Sequence, residues 1–342
     1  MLQAVMTAPG TIEFREIPVP EVERGQVLVR IIRIGVCGSD IHVYHGKHAF
    51  TSYPVVQGHE VSGIVEKVGS RVSSLKPGDK VTIRPQVVCG ECYACAHGNY
   101  HICDDLKVMG FQTTGTASEY FAVDAGLALK LPDSLTFEEG ALIEPLAVAV
   151  RALERGGGAA GRKVLVLGAG TIGNLVAQAA KGMGAESVLI TNTSDYRLQV
   201  AAACGIEHCV NPSRTDLGQE LVRRFGKDRA DLTFECVGAA ATVDQAIKYA
   251  RKGTDIVIVG IPGEKPAVDI GAVQQYELRL IGTMMYQEDD FRKAIELVQG
   301  AKLSLKPLVT HHFAFRDYLK AYEYIDEHKS NTMKVMIDVQ EA

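Results

Sequence analysis

The sequence lacks any run of about 20 apolar residues, the length a helix needs to cross a bilayer, so no membrane span is expected. It also lacks an excess of basic charge. Its 36 Lys and Arg stand against 41 Asp and Glu, for a formal net charge of −5. That mild acidity gives no electrostatic reason to expect nucleic acid or an anionic membrane as a partner. Met1 to Gly10 has neither the basic start nor the apolar core of a signal peptide, so a cytoplasmic protein is expected. No internal repeat, low-complexity tract or long linker interrupts the chain. What remains is an ordinary globular composition, 342 residues at 46% hydrophobic, sufficient for two cores.

The eight cysteines are unevenly placed. Cys89, Cys92, Cys95 and Cys103 form C-x2-C-x2-C-x7-C, a spacing at which four thiolates can close a tetrahedral shell around Zn²⁺. A shell with no open position is a structural site, and the small, polar loop residues between the cysteines would gain their order from the metal. An iron–sulfur cluster is the rival reading. His97 and His101 are spare donors, expected at the surface rather than on the metal. Cys204, Cys209 and Cys236 have no metal-like spacing and read as small buried residues.

The first 150 residues or so carry short β-branched runs with turn signals, Val27 to Ile32, Gly63 to Val68 and Lys80 to Ile83, which predict a compact, mostly antiparallel barrel-like domain. From Lys163 the texture changes to continuous apolar runs separated by helix-length segments. Strands are predicted at Lys163–Leu167, Ser187–Thr191, Glu207–Val210, Asp231–Glu235, Asp255–Gly260 and Leu278–Gly282. That alternation describes a doubly wound parallel sheet, an α/β fold. A helix at Asp289–Gln299 and a strand at Met333–Val339 follow, and these are expected to return to the first domain. The expected division is therefore 1–147 with 284–342, around 148–283.

Strand Lys163–Leu167 runs into Gly168-Ala-Gly-Thr-Ile-Gly173 and then a helix, the context in which G-x-G-x-x-G binds a dinucleotide. Gly168, Gly170 and Gly173 permit the tight turn, and the helix start at Thr171 and Ile172 offers unpaired N–H groups to a pyrophosphate. About 20 residues on, where a carboxylate is expected for the adenosine ribose, stands Asn192. It can bond a ribose but does not repel a 2′-phosphate, and Arg197 stands near enough in sequence to approach one. NAD is favoured, with NADP the alternative.

Cys37 opens Cys37-Gly-Ser-Asp-Ile-His42, Gly58-His59-Glu60 follows, and Glu144 is a lone charge in the apolar stretch Gly140 to Val150. A buried glutamate is rarely left unpaired. Together these residues offer a thiolate, an imidazole and one or two carboxylates, and three ligands would leave a position open for water or substrate, the mark of catalytic zinc.

These motifs, in this order, resemble the medium-chain zinc-dependent alcohol dehydrogenases, closest to the sorbitol (polyol) branch. Gly58-His-Glu-Val-Ser-Gly63 with Gly69 is similar to the family's zinc signature, and Glu138 to Leu146 to a segment of the polyol enzymes. The resemblance implies a GroES-like catalytic domain beside a Rossmann domain, and a dimer or tetramer joined near Leu278–Gly282. It implies that Cys37, His59 and either Glu60 or Glu144 hold the catalytic zinc, with Asp40 bonded to the ligand histidine. Ser39 would receive the alcohol proton and His42 pass it to solvent. Thiolate and one carboxylate already balance Zn²⁺, so a second carboxylate is expected to exchange or to act through water. Zinc polarises the alcohol, the nicotinamide takes the hydride, and the proton leaves separately.

One departure stands out. Where sorbitol dehydrogenases have an Arg-Tyr pair, this chain has Met285 and Tyr286, which predicts a more apolar pocket. His45 and His48 read as solvent-facing loop residues, with the mouth of the substrate cleft as the alternative. The expected reaction is oxidation of a secondary alcohol, on a polyol or sugar-like small molecule, to a ketone. An L-threonine 3-dehydrogenase-like enzyme, a simple secondary-alcohol dehydrogenase and a non-catalytic cofactor-binding protein are the alternatives. Ser39, where the threonine enzymes carry Thr, counts against the first.

Overall fold

The computed structural model describes residues 1–341 and divides into two compact units. The first comprises Met1–Glu144 together with the chain from Val309 onward, and the second is Pro145–Leu308.

The ten-residue strand Gln26–Gly35 organises the first unit, because its Val, Leu and Ile side chains are buried along most of its length. The sheet runs in the order Val309–Ala314, Lys334–Asp338, Gln26–Gly35, Glu60–Val68, Lys80–Ile83, Ala128–Lys130, with Tyr120–Asp124 also pairing to Gln26–Gly35. All these pairings but one are antiparallel. The exception is Val309–Ala314 with Lys334–Asp338, parallel strands joined through the helix Tyr318–Glu327, as a parallel crossover requires. Strand Lys334–Asp338 thus lies on one side of Gln26–Gly35, with Met336 opposite Gly35, while on the other side Glu60 pairs with Gly35.

The second unit is a six-stranded, wholly parallel sheet in the order His208–Val210, Ser187–Thr191, Lys163–Leu167, Leu232–Glu235, Asp255–Ile258, Arg279–Gly282. In chain order that is 3-2-1-4-5-6, the dinucleotide-binding arrangement whose order reverses between the first and fourth strands. Lys163–Leu167 and Leu232–Glu235 are buried on both faces, which is why they read as unbroken apolar runs.

The sequence placed the return to the first unit at 284, but the second unit continues to Leu308. The reason is packing. Helix Glu288–Gln299 buries Phe291, Ala294, Leu297 and Val298, and beyond it the Ser304 N–H donates to Gln178 Oε1 at 2.8 Å. No helix among the described residues is long and apolar enough to cross a membrane.

Candidate metal centre and cofactor turn

Cys37 ends the stretch that follows strand Gln26–Gly35 and caps the helix Gly38–Tyr44. Asp40, in that helix's first turn, accepts the Cys37 N–H with Oδ2 at 2.9 Å, a reciprocal cap that fixes the thiol's position. Glu60 opens the neighbouring strand Glu60–Val68, and His59 is the residue before it. The ligand atoms of Cys37, His59 and Glu60 all lie within 4.8 Å of one another. Ligand atoms about 3.3–3.8 Å apart surround a tetrahedral zinc, so a small adjustment would seat one.

Asp40 also faces the imidazole. Its Oδ1 lies 3.5 Å from His59 Nδ1, longer than a good hydrogen bond and still an ion-pair distance. The same carboxylate accepts from Gln57 Nε2 at 3.3 Å, and Gln57 Oε1 accepts from the Tyr322 hydroxyl at 3.0 Å. This buried chain orients Asp40 and, through it, His59. Burial alone would lower the pKa of His59, but Asp40 and Cys37 outweigh it and hold it well above the usual range.

The two glutamates separate. Glu60 is 1% exposed, and its Oε2 accepts from Lys334 Nζ at 2.5 Å. Glu144, 6% exposed on the helix Phe137–Arg155, stands outside the three-residue group, while its charge still acts on Lys334. Burial would lower the pKa of Lys334, and the negative Glu60, Cys37 and Glu144 raise it instead, so it is a buried cation at neutral pH.

Glu60 reaches this position only because residue 35 is glycine. A β-carbon there would stand 2.3 Å from Glu60 Oε2. Ser39 is half-buried in the helix Gly38–Tyr44, one turn from the exposed His42. His48, expected on a solvent-facing loop, is instead half-buried. It stacks on Phe111 at 4.7 Å, and Phe111 in turn lies 4.9 Å from the His59 ring. His45 is exposed and pairs with Asp326.

Cys89, Cys92, Cys95 and Cys103 form a second group within 4.8 Å. Their sulfurs approach to 3.4 Å for Cys89 and Cys103 and 3.9 Å for Cys92 and Cys103, close to the edges of a zinc tetrahedron. Backbone N–H groups of Cys92 and Cys95 point at the sulfurs of Cys89 and Cys92. Cys92 is brought down to about 6 by the backbone N–H groups of Asp104 and Cys95. Cys95 is pushed up to about 12 by loss of water and by the neighbouring Cys92. One thiol ionises readily and its neighbour then resists, the conflict that a divalent cation removes. His97 is exposed and stacks on Tyr93 at 4.0 Å. His101, expected at the surface, is buried, because its short helical turn folds it under the lobe. Of the remaining cysteines, Cys204 is buried and Cys209 and Cys236 are half-buried.

In the second unit, the glycines form a cradle. Gly170 caps the helix Thr171–Gly182, and Gly168 has φ +104°, which an L side chain rarely adopts. A β-carbon on Gly173 would lie 1.8 Å from the Gly168 carbonyl oxygen, so helix and turn can meet only at glycine. Asn192 follows the second strand, and its Oδ1 accepts the Ser194 N–H at 2.8 Å, which leaves the amide nitrogen as the group to offer a ligand. The Arg197 guanidinium lies beside Gly170, 3.7 Å from where a β-carbon would sit. Glu235, buried at the end of the fourth strand, accepts from the N–H groups of Val237 and Gly238 and from Thr242, and so shapes the facing loop. Tyr286 is fully buried, edge-on to Phe291 at 4.8 Å, and Met285 has φ +48°. Both belong to the second unit.

Gln57, Tyr322, Lys334, Gly35 and Phe111 were not found from sequence. Only Lys334 left a trace, a lone cation inside the apolar strand Met333 to Ile337.

The chain matches two family descriptions, the alcohol dehydrogenase GroES-like domain over residues 23–133 and the zinc-binding dehydrogenase over residues 171–300. It is 36% identical to a D-xylulose reductase of Saccharomyces cerevisiae, covering 98% of this chain and 96% of that protein. It is equally 36% identical to human sorbitol dehydrogenase, over 98% and 95% of the two chains. Among solved structures, galactitol-1-phosphate dehydrogenase from Escherichia coli superposes with a TM-score of 0.92 at 30% identity, over 99% and 100% of the two chains.

Proposed function

The chain belongs to the medium-chain zinc-dependent alcohol dehydrogenases, near their polyol branch, and from that premise we propose that it oxidises a secondary hydroxyl of a polyol or sugar-like substrate to a ketone, with NAD as acceptor. The observation that carries the reading is the close approach of Cys37, His59 and Glu60, all partly or fully buried. A thiolate, an imidazole and a carboxylate suit zinc, and three protein ligands leave a position for the substrate oxygen. When bound, zinc supplies Lewis acidity to the alcohol and the nicotinamide supplies the hydride acceptor.

The chain's own residues do the rest. Asp40 faces His59 Nδ1 at ion-pair distance and orients the ring, with Gln57 and Tyr322 behind it. Ser39 Oγ takes the alcohol proton, and the exposed His42 passes it to solvent. The turn Gly168–Gly173 and the N–H groups at Thr171 and Ile172 bind the pyrophosphate, while Asn192 and Arg197 meet the adenosine ribose. Cys89, Cys92, Cys95 and Cys103 hold a structural zinc, and none of the eight cysteines is in a disulfide, in keeping with a cytoplasmic enzyme. The exposed edge strand Arg279–Gly282 is where a second copy would extend the sheet, giving a dimer or tetramer whose mass light scattering would measure.

The decisive experiment follows reduction of NAD and NADP at the nicotinamide absorbance across sugar alcohols, inositols, simple secondary alcohols and L-threonine. Chelator-sensitive turnover of a polyol is expected. Activity confined to L-threonine or to simple alcohols would move the chain to another branch.

A further inference from the structure

Glu60 stands among the metal-ligand candidates and is also held by a cation of this chain. That cation is Lys334. Its ammonium is 3% exposed and bonds both Glu60 Oε2, at 2.5 Å, and the Val36 carbonyl, at 3.0 Å. Val36 is the residue before Cys37, so one cation grips the segments that carry two of the three ligand candidates. The sheet fixes this contact, since strands Lys334–Asp338 and Glu60–Val68 flank Gln26–Gly35 on opposite sides and Gly35 carries no side chain to separate them.

We propose that Lys334 is the built-in counter-charge of the metal centre, a positioning residue that ties down one oxygen of Glu60 and so limits how much negative charge the metal receives. With Oε2 engaged, Glu60 can offer at most its other oxygen freely. The metal then keeps its charge for the substrate oxygen instead of spending it on a two-oxygen carboxylate. The inference rests on the reading of Cys37, His59 and Glu60 as the metal site.

The test compares the wild-type protein with Lys334→Met, Lys334→Arg and Glu60→Gln/Lys334→Met. Chelator competition gives zinc affinity, and the visible spectrum of the cobalt(II)-loaded protein reads the ligand field. Lys334→Met should bind metal at this site about tenfold more tightly or better, the scale on which partners of metal ligands act, with an altered cobalt spectrum. Lys334→Arg should stay near wild type in both, and removing both charges should abolish the gain. Unchanged or weaker metal binding by folded Lys334→Met overturns the proposal. If that variant does not fold, the double variant decides instead: tighter zinc binding than in Glu60→Gln alone supports the counter-charge, since removing a cation that faces the site lessens its repulsion of the metal, and equal or weaker binding overturns it. Cys37→Ser separates the two levels. If it retains as much metal as wild type, the site reading fails; if it loses metal while Lys334→Met is neutral, only the role of Lys334 fails.

Discussion

The Glu60 carboxylate lies over the bare Cα of Gly35, in the space a β-carbon would occupy 2.3 Å from Oε2. The two residues are direct partners across neighbouring strands, so neither can move away without breaking the ladder. Gly35→Ala should therefore displace the carboxylate while leaving the sheet intact. Metal affinity at that site is expected to fall about tenfold or more with the far-ultraviolet circular dichroism unchanged. Full metal retention by the variant would show that Glu60 is dispensable there.

Cys37→Ala removes the thiolate but not the glycine turn of the other unit. Turnover should drop on the order of a thousandfold or more, the scale seen when one preorganised charge is lost from an active site. Titration of NADH fluorescence should show cofactor binding largely intact. Normal turnover would sink the catalytic-zinc assignment.

Cys92→Ser should act on stability first. The thiol held down at about 6 is the one most readily ionised, and a lobe with little apolar surface depends on its metal for order. A loss of about 2–4 kcal/mol would lower the melting temperature by roughly 4–15 °C. A variant with wild-type melting and no activity would count against a structural role.

Asn192→Asp places a negative charge where a 2′-phosphate would sit. The ratio of kcat/KM for NAD over NADP should rise by about tenfold or more, corresponding to roughly 1.4 kcal/mol. An unchanged ratio would mean that Asn192 does not face the ribose.

Asp79 gives a pH signature independent of any metal. It is buried, and bonds to Lys130 and to the Lys76 N–H at 2.6 and 3.0 Å outweigh burial to hold its carboxyl below the usual range. A depressed folded value means stability that is complete above the unfolded pKa, near about 4, and lost as pH falls through the folded one. Asp79→Asn should cost about 1–2 kcal/mol at pH 7 by urea denaturation, and the difference should vanish in acid below that range. A difference that persisted there would assign the effect to packing.

The parallel sheet was the most legible part of the chain. Lys163–Leu167 and Ser187–Thr191 are continuous apolar runs between turn signals, and their observed limits coincide with those read from sequence. The helix Phe137–Arg155 was visible only as an apolar stretch with an anomalous glutamate, because Pro145 interrupts its pattern. Tyr318–Glu327 was missed, two of its three buried residues being tyrosines with polar tips. Short-range motifs exposed Cys37, Asp40, His59 and Glu60, and the structure draws these together. Lys334 stands 274 positions from Glu60, and Tyr322 stands 265 from Gln57, and no local spacing can announce pairings between segments so far apart in the chain.

That strand order also sets a timetable for synthesis. The strand carrying Lys334 follows the whole of the second unit in the chain, yet it completes the sheet of the first. On the ribosome, Cys37, His59 and Glu60 emerge long before the lysine that neutralises them. The second unit can fold as it appears, since all six of its strands are contiguous in sequence. Until that last strand is added, the sheet of the first unit is incomplete and Glu60 lacks its Lys334 partner.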